Sequence, residues 1–362
     1  MLYFFLYPLR EYFFGFNVFR YITFRAAGAG TTAFLLSVLF GPVVIQRLEL
    51  LGIGQTVRTE GHPKFKELHH GKEGVPTMGG LFVVFSIVFS VLLWADLSNR
   101  FILVMLLVTL WLTFVGFIDD AIKLWRGDAK GMTIAMKLSG QLILAIALSV
   151  WVMVDSGLST HLELPFFKEA MIDLSFLYLP FVVLVIIGSS NAVNLTDGLD
   201  GLAAGCIAIA AFAYSILSYI AGHAEFSSYL HISYVAESGE LAVFCIAVAG
   251  AALGFLWFNS YPAAVFMGDT GALALGGILG ATAIFIKKEL LLLIIGGIFV
   301  AEAASTLAQI ISFRMFKKRI FLMAPLHHHF QLKGWPENKV TVRFWIIAVI
   351  LAVTGIATLK LR

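Results

Sequence analysis

The 362-residue chain is 60% hydrophobic and only 13% charged, with a formal net charge of +3 at pH 7. Soluble domains carry roughly 25% charged residues, so this composition excludes an ordinary soluble protein. The small net charge gives no reason to expect a nucleic-acid partner. Cys206 and Cys245 both lie inside apolar runs, which predicts buried thiols rather than a disulfide or a metal site.

Long apolar segments follow one another along the whole chain, each close to the roughly 20 residues that a helix needs to cross a bilayer. We therefore predict an all-α polytopic membrane protein with about ten transmembrane helices, formed by a single domain over residues 1–362. The ninth segment is predicted to break at Gly296-Gly297 or near Glu302. The predicted spans are 22–45, 77–95, 101–118, 132–154, 174–188, 202–221, 239–258, 271–286, 289–313 and 342–360.

Lysine and arginine are distributed unevenly between the two sides that these spans define. The segments after the odd-numbered spans carry fifteen of these residues and the other side carries nine, with Lys137 inside the fourth span. Loops that remain in the cytoplasm carry an excess of positive charge. The distribution therefore predicts that the segments after odd-numbered spans are cytoplasmic and that both chain ends are periplasmic.

Five carboxylates fall in three segments on this predicted cytoplasmic side. Asp119 and Asp120 end the third span, Asp197 and Asp200 follow the fifth, and Asp269 follows the seventh. Adjacent carboxylates in a poorly solvated site need a compensating cation. Oxygen ligands without nearby cysteine favour Mg²⁺ over Zn²⁺. Because Mg²⁺ bound by carboxylates and substrate phosphates is typical of phosphoryl transfer, the pattern indicates that chemistry.

Each acidic motif alone also has a simpler structural interpretation. Asp119-Asp120 can be a solvated helix end, and Asp269 can be the N-cap of the eighth helix. The polar residues 191–201 can form a turn between membrane helices, with N-caps at Asn194 and Asp197. All three acidic segments lie on the same predicted side of the membrane. This agreement favours one functional site over three separate structural roles.

Basic residues near these motifs also allow more than one interpretation. The three histidines 327–329 make a poor metal site, because consecutive side chains diverge on a helix or strand, but they can bind phosphate. Lys72 alone can be a solvated loop charge. Lys123 can compensate the negative charge of Asp120. Lys137 requires a carboxylate partner because it lies inside a predicted span.

Taken together, these motifs resemble the phospho-N-acetylmuramoyl-pentapeptide-transferase family, the translocase I enzymes of peptidoglycan synthesis. This family lies within the polyprenyl-phosphate sugar-1-phosphate transferases. The resemblance spans nearly the whole chain, and the triple histidine followed by Lys333-Gly334-Trp335 points to the muramoyl-pentapeptide branch. The motifs are Pro76-Thr77-Met78-Gly79-Gly80, Asp119-Asp120-x-x-Lys123, and residues 191–201, 254–259, 265–271 and 324–335.

The resemblance implies a Mg²⁺-dependent homodimeric enzyme of the bacterial inner (cytoplasmic) membrane, with its site facing the cytoplasm. It would transfer phospho-MurNAc-pentapeptide from UDP-MurNAc-pentapeptide to undecaprenyl phosphate, giving lipid I and UMP. Phe266 would stack on uracil, and Asp269 would be the first metal ligand. The implied catalytic residues are Asp119, Asp120, Asp269 and His328, and the implied metal ligands are Asp269, Asp119 and Asp120. The implied substrate-binding residues are Lys72, Asn194, Asp197, Gly198, Leu199, Asp200, Phe266, His327 and His329.

Two alternatives stay open at this point. A sister enzyme that uses UDP-N-acetylglucosamine would share the acidic motifs. A cation-coupled transporter would also place acids within membrane helices, although transporters usually hold them near the bilayer midplane and show internal repeats. We see no repeat in this sequence, and the acids lie at the ends of the predicted spans.

Overall fold

The structure, a computed structural model, describes residues 1–52, 54, 74–126, 131–155, 157–167 and 171–361. Within these residues the protein is almost entirely helical. The ten main helices are α1 (Ile22–Leu50), α2 (Gly80–Trp94), α3 (Arg100–Arg126), α4 (Ile134–Val154), α5 (Tyr178–Thr196), α6 (Leu202–Ala221), α7 (Glu240–Asn259), α8 (Gly268–Phe285), α9 (Gly297–Phe316) and α10 (Glu337–Ala357).

Shorter elements join and flank these helices. One antiparallel hairpin pairs β1 (His161–Glu163) with β2 (Met171–Asp173). The short α-helices are Leu2–Leu6, Ala224–Tyr229, Leu291–Ile295 and Leu326–Leu332, and the 3₁₀-helices are Tyr7–Glu11, Phe14–Arg20, Ser175–Leu177 and Thr358–Leu361.

Helix α8 lies at the centre of the bundle, and every residue of it from Thr270 to Phe285 is buried. Glycines let neighbouring backbones approach it closely. A Cβ on Gly116 of α3 would lie 2.3 Å from the carbonyl oxygen of Asp269, and one on Gly80 of α2 would lie 2.2 Å from the backbone nitrogen of Gly271. Small residues at such contacts are typical of helix packing in membranes. The contacts fix the N-terminal end of α8 against α2 and α3.

The fold class predicted from the sequence is confirmed. Nine helices of the described chain are long and apolar enough to cross a membrane, and α2 is apolar but only 15 residues long. The predicted break in the ninth span occurs at Gly296, between Leu291–Ile295 and α9. Cys206 and Cys245 are buried and free, as predicted.

Helix boundaries differ from the sequence prediction where polar residues continue a helix. Helix α5 extends to Thr196, so Asn194 lies in its last turn and its interpretation as an N-cap is wrong. Asp197 is the C-cap residue of the same helix, so its N-cap interpretation is also wrong. Helix α3 continues past Asp119 and Asp120 to Arg126. Tertiary partners of these polar groups replace the solvent that an isolated helix end would need.

Candidate active site

Three carboxylates from two helices meet at one end of the bundle. Asp119 and Asp120 lie in the last turns of α3, and Asp269 lies in the first turn of α8. One oxygen from each carboxylate lies within 4.8 Å of the others. Asp119 and Asp120 are only 3% and 2% exposed, so water does little to separate their charges. The N-terminal position of Asp269 is favourable, because the positive end of the helix dipole lies there.

Two lysines neutralise much of this negative charge. The Nζ atom of Lys123 lies 2.6 Å from Oδ2 of Asp119, 3.3 Å from Oδ1 of Asp120 and 2.8 Å from Oδ2 of Asp269. The Nζ atom of Lys137, in the first turn of α4, lies 2.8 Å from the same oxygen of Asp269. The predictions that Lys123 compensates Asp120 and that Lys137 has a carboxylate partner are therefore confirmed.

Hydrogen bonds hold each carboxylate in a fixed orientation. Asp120 accepts from the backbone N–H of Thr270 at 2.9 Å and from its hydroxyl at 2.7 Å, so it caps α8 from a neighbouring helix. Asp119 accepts from the backbone N–H of Met132 at 2.7 Å. Asn194 donates from Nδ2 to Oδ1 of Asp269 at 2.5 Å. The cluster is therefore built by four helices, because α3, α4, α5 and α8 each contribute a side chain.

The oxygen-rich donor set fits a hard divalent cation. Each carboxylate offers an oxygen close to the others, and no cysteine or histidine belongs to this group of described residues. Mg²⁺ prefers such oxygen ligands. If it binds here, Asp119, Asp120 and Asp269 would hold it, and Lys123 and Lys137 would have to share these oxygens or turn to other anions.

The segment that precedes α8 is paired with residues 76–80 through its backbone. The N–H of Phe266 donates to the carbonyl of Pro76, and the N–H of Gly79 donates to the carbonyl of Phe266, both at 2.8 Å. Gly80 donates to the carbonyl of Met267 at 2.8 Å. The ring of Phe266 remains partly exposed. Its backbone is thus fixed three residues before Asp269.

The turn after α5 is anchored to α10 and to the 260–267 segment. Asp200 is 3% exposed and its Oδ2 accepts from the N–H of Ala263 at 3.0 Å. Its own N–H donates to Oε1 of Glu337 at 2.8 Å. Asn259 accepts from the N–H of Gly201 at 3.0 Å and donates to the carbonyl of Val265 at 2.8 Å. Asp200 therefore orders two loops at once, and Leu199 beside it is buried.

Asp197 faces the carboxylate cluster from this turn. The pKa of its carboxyl group is raised to about 7, chiefly by burial and also by the nearby charges of Asp269, Asp120 and Asp200, while a backbone hydrogen bond from Gly268 acts in the opposite direction. The carboxyl group is thus poised to change charge near neutral pH. A cation bound nearby would favour its ionised form.

The three histidines lie in the short helix Leu326–Leu332 and have different surroundings. His327 is fully buried, and its Nδ1 lies 3.1 Å from Oε2 of Glu302. His328 is 9% exposed and its Nδ1 lies 2.8 Å from Oε1 of Gln331. His329 accepts the N–H of Leu322 at Nδ1, at 3.1 Å. A Cβ on Gly198 would lie 2.4 Å from Nε2 of His327, so a larger residue there would displace the His327 ring. Lys72 lies outside the described residues.

Sequence comparison relates this chain to known proteins. The family model described as Glycosyl transferase family 4 matches residues 102–287. A phospho-N-acetylmuramoyl-pentapeptide-transferase from Desulfotalea psychrophila is 52% identical over 363 residues, which cover 100% of both chains. Proteins of the same name from Citrifermentans bemidjiense and Thermodesulfovibrio yellowstonii are 52% and 50% identical, again over 100% of both chains.

The chain belongs to the phospho-N-acetylmuramoyl-pentapeptide-transferase family. For this family member, the region that matches glycosyl transferase family 4 contains all three clustered carboxylates and both lysines that contact them. The three histidines lie outside that region, as expected if they belong to a narrower branch of the family.

The sequence assigned no role to several residues that build this candidate site. Thr270, Asn259 and Glu337 are ordinary polar residues at helix ends, and nothing in their spacing shows which loop they bind. Glu302 did carry a signal, because an acid in the middle of an apolar span needs a partner. Its contact with His327 joins α9 to the short helix Leu326–Leu332.

Proposed function

We propose that this chain transfers phospho-MurNAc-pentapeptide from UDP-MurNAc-pentapeptide to undecaprenyl phosphate, producing lipid I and UMP. The observation that carries this proposal is the cluster of Asp119, Asp120 and Asp269 with Lys123 and Lys137 at one end of the bundle. Such a set of carboxylates and lysines suits the binding of a diphosphate and a cation. The names of the full-length relatives specify the transferred group, phospho-N-acetylmuramoyl-pentapeptide.

The cation that we propose is Mg²⁺, held by Asp269, Asp119 and Asp120. When bound, Mg²⁺ would neutralise negative charge on the diphosphate and on the departing UMP. Lys123 and Lys137 would attract and orient phosphate oxygens, since each already lies within ion-pair distance of the cluster. Asn194 would keep Asp269 in its orientation through the bond from Nδ2.

Asp119 is our candidate for the group that positions the lipid phosphate or accepts its proton. A phosphate monoester has a second pKa near 6, so the nucleophile is already mostly ionised at neutral pH and needs little base catalysis. We therefore propose direct attack of the lipid phosphate on the diphosphate of the donor. Positioning by the carboxylates and lysines would then supply most of the rate enhancement.

The donor nucleotide is proposed to bind between the turn 197–201 and Phe266. Phe266 would stack on uracil, while Asp197, Gly198, Leu199 and Asp200 would line the nucleotide. His328 and His329 would meet the sugar-phosphate or peptide part of the donor. Backbone pairing of Phe266 with residues 76–80 supports this assignment, because it fixes a partly exposed aromatic residue three positions before Asp269.

We also propose that the enzyme is a homodimer in the bacterial inner membrane, with the site on the cytoplasmic side and both chain ends in the periplasm. The excess of lysine and arginine in the segments after odd-numbered spans supports this orientation. Light scattering on the detergent-solubilised protein tests the dimer, and a mass equal to one chain after subtraction of detergent would contradict it.

The direct test is incubation of the purified protein with UDP-MurNAc-pentapeptide, undecaprenyl phosphate and Mg²⁺. We expect UMP and a lipid-linked product to appear together, and both to be lost after exhaustive chelation. UDP-N-acetylglucosamine as donor tests the sister activity and should give no UMP. Turnover with that donor alone would reassign the substrate, and undiminished turnover without divalent cation would refute the Mg²⁺ proposal.

A transporter is a weaker alternative for this structure. The acidic residues that couple ions in transporters usually lie near the bilayer midplane. Here Asp269 lies in the first turn of α8, and Asp119 and Asp120 lie in the last turns of α3. The cluster is therefore at helix ends, where a water-soluble donor and a membrane lipid can both reach it.

A further inference from the structure

A buried contact between Glu302 and His327 links α9 to the short helix Leu326–Leu332, whose His327 ring packs against Gly198 in the turn that carries Asp197 and Asp200. Both residues are 0% exposed. Oε2 of Glu302 lies 3.1 Å from Nδ1 of His327 and accepts the backbone N–H of His327 at 3.4 Å. Removing an acid and a histidine from solvent is costly unless they are paired, so this contact constrains both helices.

The opposite edge of the His327 ring packs closely against the turn 197–201. A Cβ built on Gly198 would lie 2.4 Å from Nε2 and 2.8 Å from Cε1 of His327. Neither ring nitrogen of His327, nor Oε1 of Glu302, has a hydrogen-bond partner among the described residues. The ring is thus held by its contact with Glu302 on one side and by close packing against Gly198 on the other.

We propose that Glu302 is a positioning residue that acts through His327 on the turn 197–201. This inference rests on the proposed function, in which that turn binds the nucleotide part of the donor. His327 is then a spacer between Glu302 and Gly198 rather than a direct substrate contact. The contact sets how far the turn lies from α9, and hence where Asp197 and Asp200 stand relative to the donor.

The hydrogen bonds around the turn 197–201 explain why the Glu302–His327 contact should affect binding of the donor. Asp200 accepts a hydrogen bond from the N–H of Ala263 and so holds the segment that leads to Phe266. A shift of the turn would therefore displace both proposed sides of the nucleotide site. The carboxylate cluster is held separately, by Lys123, Lys137, Thr270 and Asn194. Loss of the contact should weaken donor binding more than it slows the chemical step.

The experiment compares Glu302→Gln, His327→Gln and the double variant in the purified full-length enzyme. We expect each single change to raise the KM for UDP-MurNAc-pentapeptide by about tenfold, the lower end of the losses seen when a metal-ligating histidine loses its orienting partner. The KM for undecaprenyl phosphate should stay nearly constant. The double variant should be no worse than either single variant, because both changes break one contact.

Ser312→Ala is the matched control, because Ser312 is a buried polar residue of the same helix that donates to the carbonyl of Lys318. It should lower stability without a change in donor KM. Equal changes in both KM values, or effects of Glu302→Gln and His327→Gln that multiply in the double variant, would overturn the proposal.

Direct binding separates this inference from the proposed function. Affinity for UMP, measured by calorimetry, should fall about tenfold in Glu302→Gln, as expected for a lost orienting partner. The thermal midpoints of the four proteins should show the same coupling between Glu302 and His327. If the parent protein releases no UMP in the assay, the proposed function fails while this coupling is still measured. Independent effects on the thermal midpoint would refute the positioning role in either case.

Gly198→Ala provides a second route if Glu302→Gln does not fold. The added methyl group must push the His327 ring away from its present place. We expect the same selective loss of donor affinity, without a change in the KM for the lipid. Unchanged donor and UMP affinity in a folded Gly198→Ala protein would contradict the proposal.

Discussion

Nζ of Lys137 lies 2.8 Å from Oδ2 of Asp269, although 132 residues separate them in the chain. Nζ of Lys123 lies 2.8 Å from the same oxygen, so a single carboxylate oxygen is shared by two cations. Asp269 is thus the point at which the charges of α3, α4 and α8 meet. Changes at this point should affect catalysis more than folding.

Replacing Lys137 by methionine should test the part of this cation in turnover. Lys137→Met keeps the apolar stem but leaves the three carboxylates more negative, so phosphate oxygens would meet less positive charge. We expect kcat to fall by about 10² or more, the range for a positioned electrostatic group. The exposed Lys339→Met is the control and should be nearly neutral. Near-normal kcat in Lys137→Met would remove this lysine from the site.

Removing one charge from the carboxylate cluster should abolish most turnover. Asp269→Asn and, separately, Asp119→Asn keep the shape of the side chain but weaken the proposed cation site. We expect losses in kcat on the order of 10²–10⁴ while the protein still folds, as judged by its thermal midpoint and elution profile. If both folded variants turn over normally, the cluster is not the active site.

Asp197 should make the metal-free protein less stable as the pH rises. Its pKa is raised to about 7 in the folded protein, above the ordinary value for aspartate, which is about 3.9. The folded state therefore resists ionisation, and stability falls as pH rises from about 4 to about 7.

Asp197→Asn removes this penalty, so the variant should be more stable than the parent at pH 8 in a chelating buffer. One pKa unit corresponds to about 1.4 kcal/mol, and we expect a gain of at least this order in unfolding free energy. At pH 5 the gain should be much smaller, and Mg²⁺ should reduce it at pH 8. Thermal unfolding across this range is the measurement. A gain that does not vary with pH would show that charge at Asp197 is not its cause.

Phe266→Ala should distinguish base stacking from packing. Stacking of an aromatic ring on a base contributes roughly 1–3 kcal/mol by alanine substitution, which is about tenfold or more in affinity. We expect a higher KM for the UDP-sugar and little change in the KM for undecaprenyl phosphate. Loss of packing would instead lower the thermal midpoint and affect both substrates alike, and that outcome would count against stacking.

Cysteine accessibility in intact cells tests the proposed orientation. Cys206 and Cys245 are buried, so the parent protein should react little with an impermeant maleimide. Ser260→Cys, between α7 and α8, and Glu225→Cys, between α6 and α7, are both at exposed positions. We expect labelling from outside only at position 225. Labelling of position 260 from outside, with none at 225, would invert the topology.

The sequence by itself determined the all-helical membrane fold, because long apolar runs leave few other ways to satisfy backbone hydrogen bonds in lipid. It also placed Asp119, Asp120 and Asp269 on one side, since parity along a chain of spans fixes which helix ends share a surface. The break near Gly296 and the need of Lys137 for a carboxylate partner followed from local chemistry.

Only the tertiary structure decided which groups touch. The pairing of Lys137 with Asp269 and the capping of α8 by Asp120 join residues far apart in sequence, and several other acids could have met the same need. His327 looked like an exposed phosphate ligand beside its two neighbours, yet it is buried against Glu302 and Gly198. Helix direction and close packing determine these contacts, and neither is encoded in the spacing of residues along a single segment.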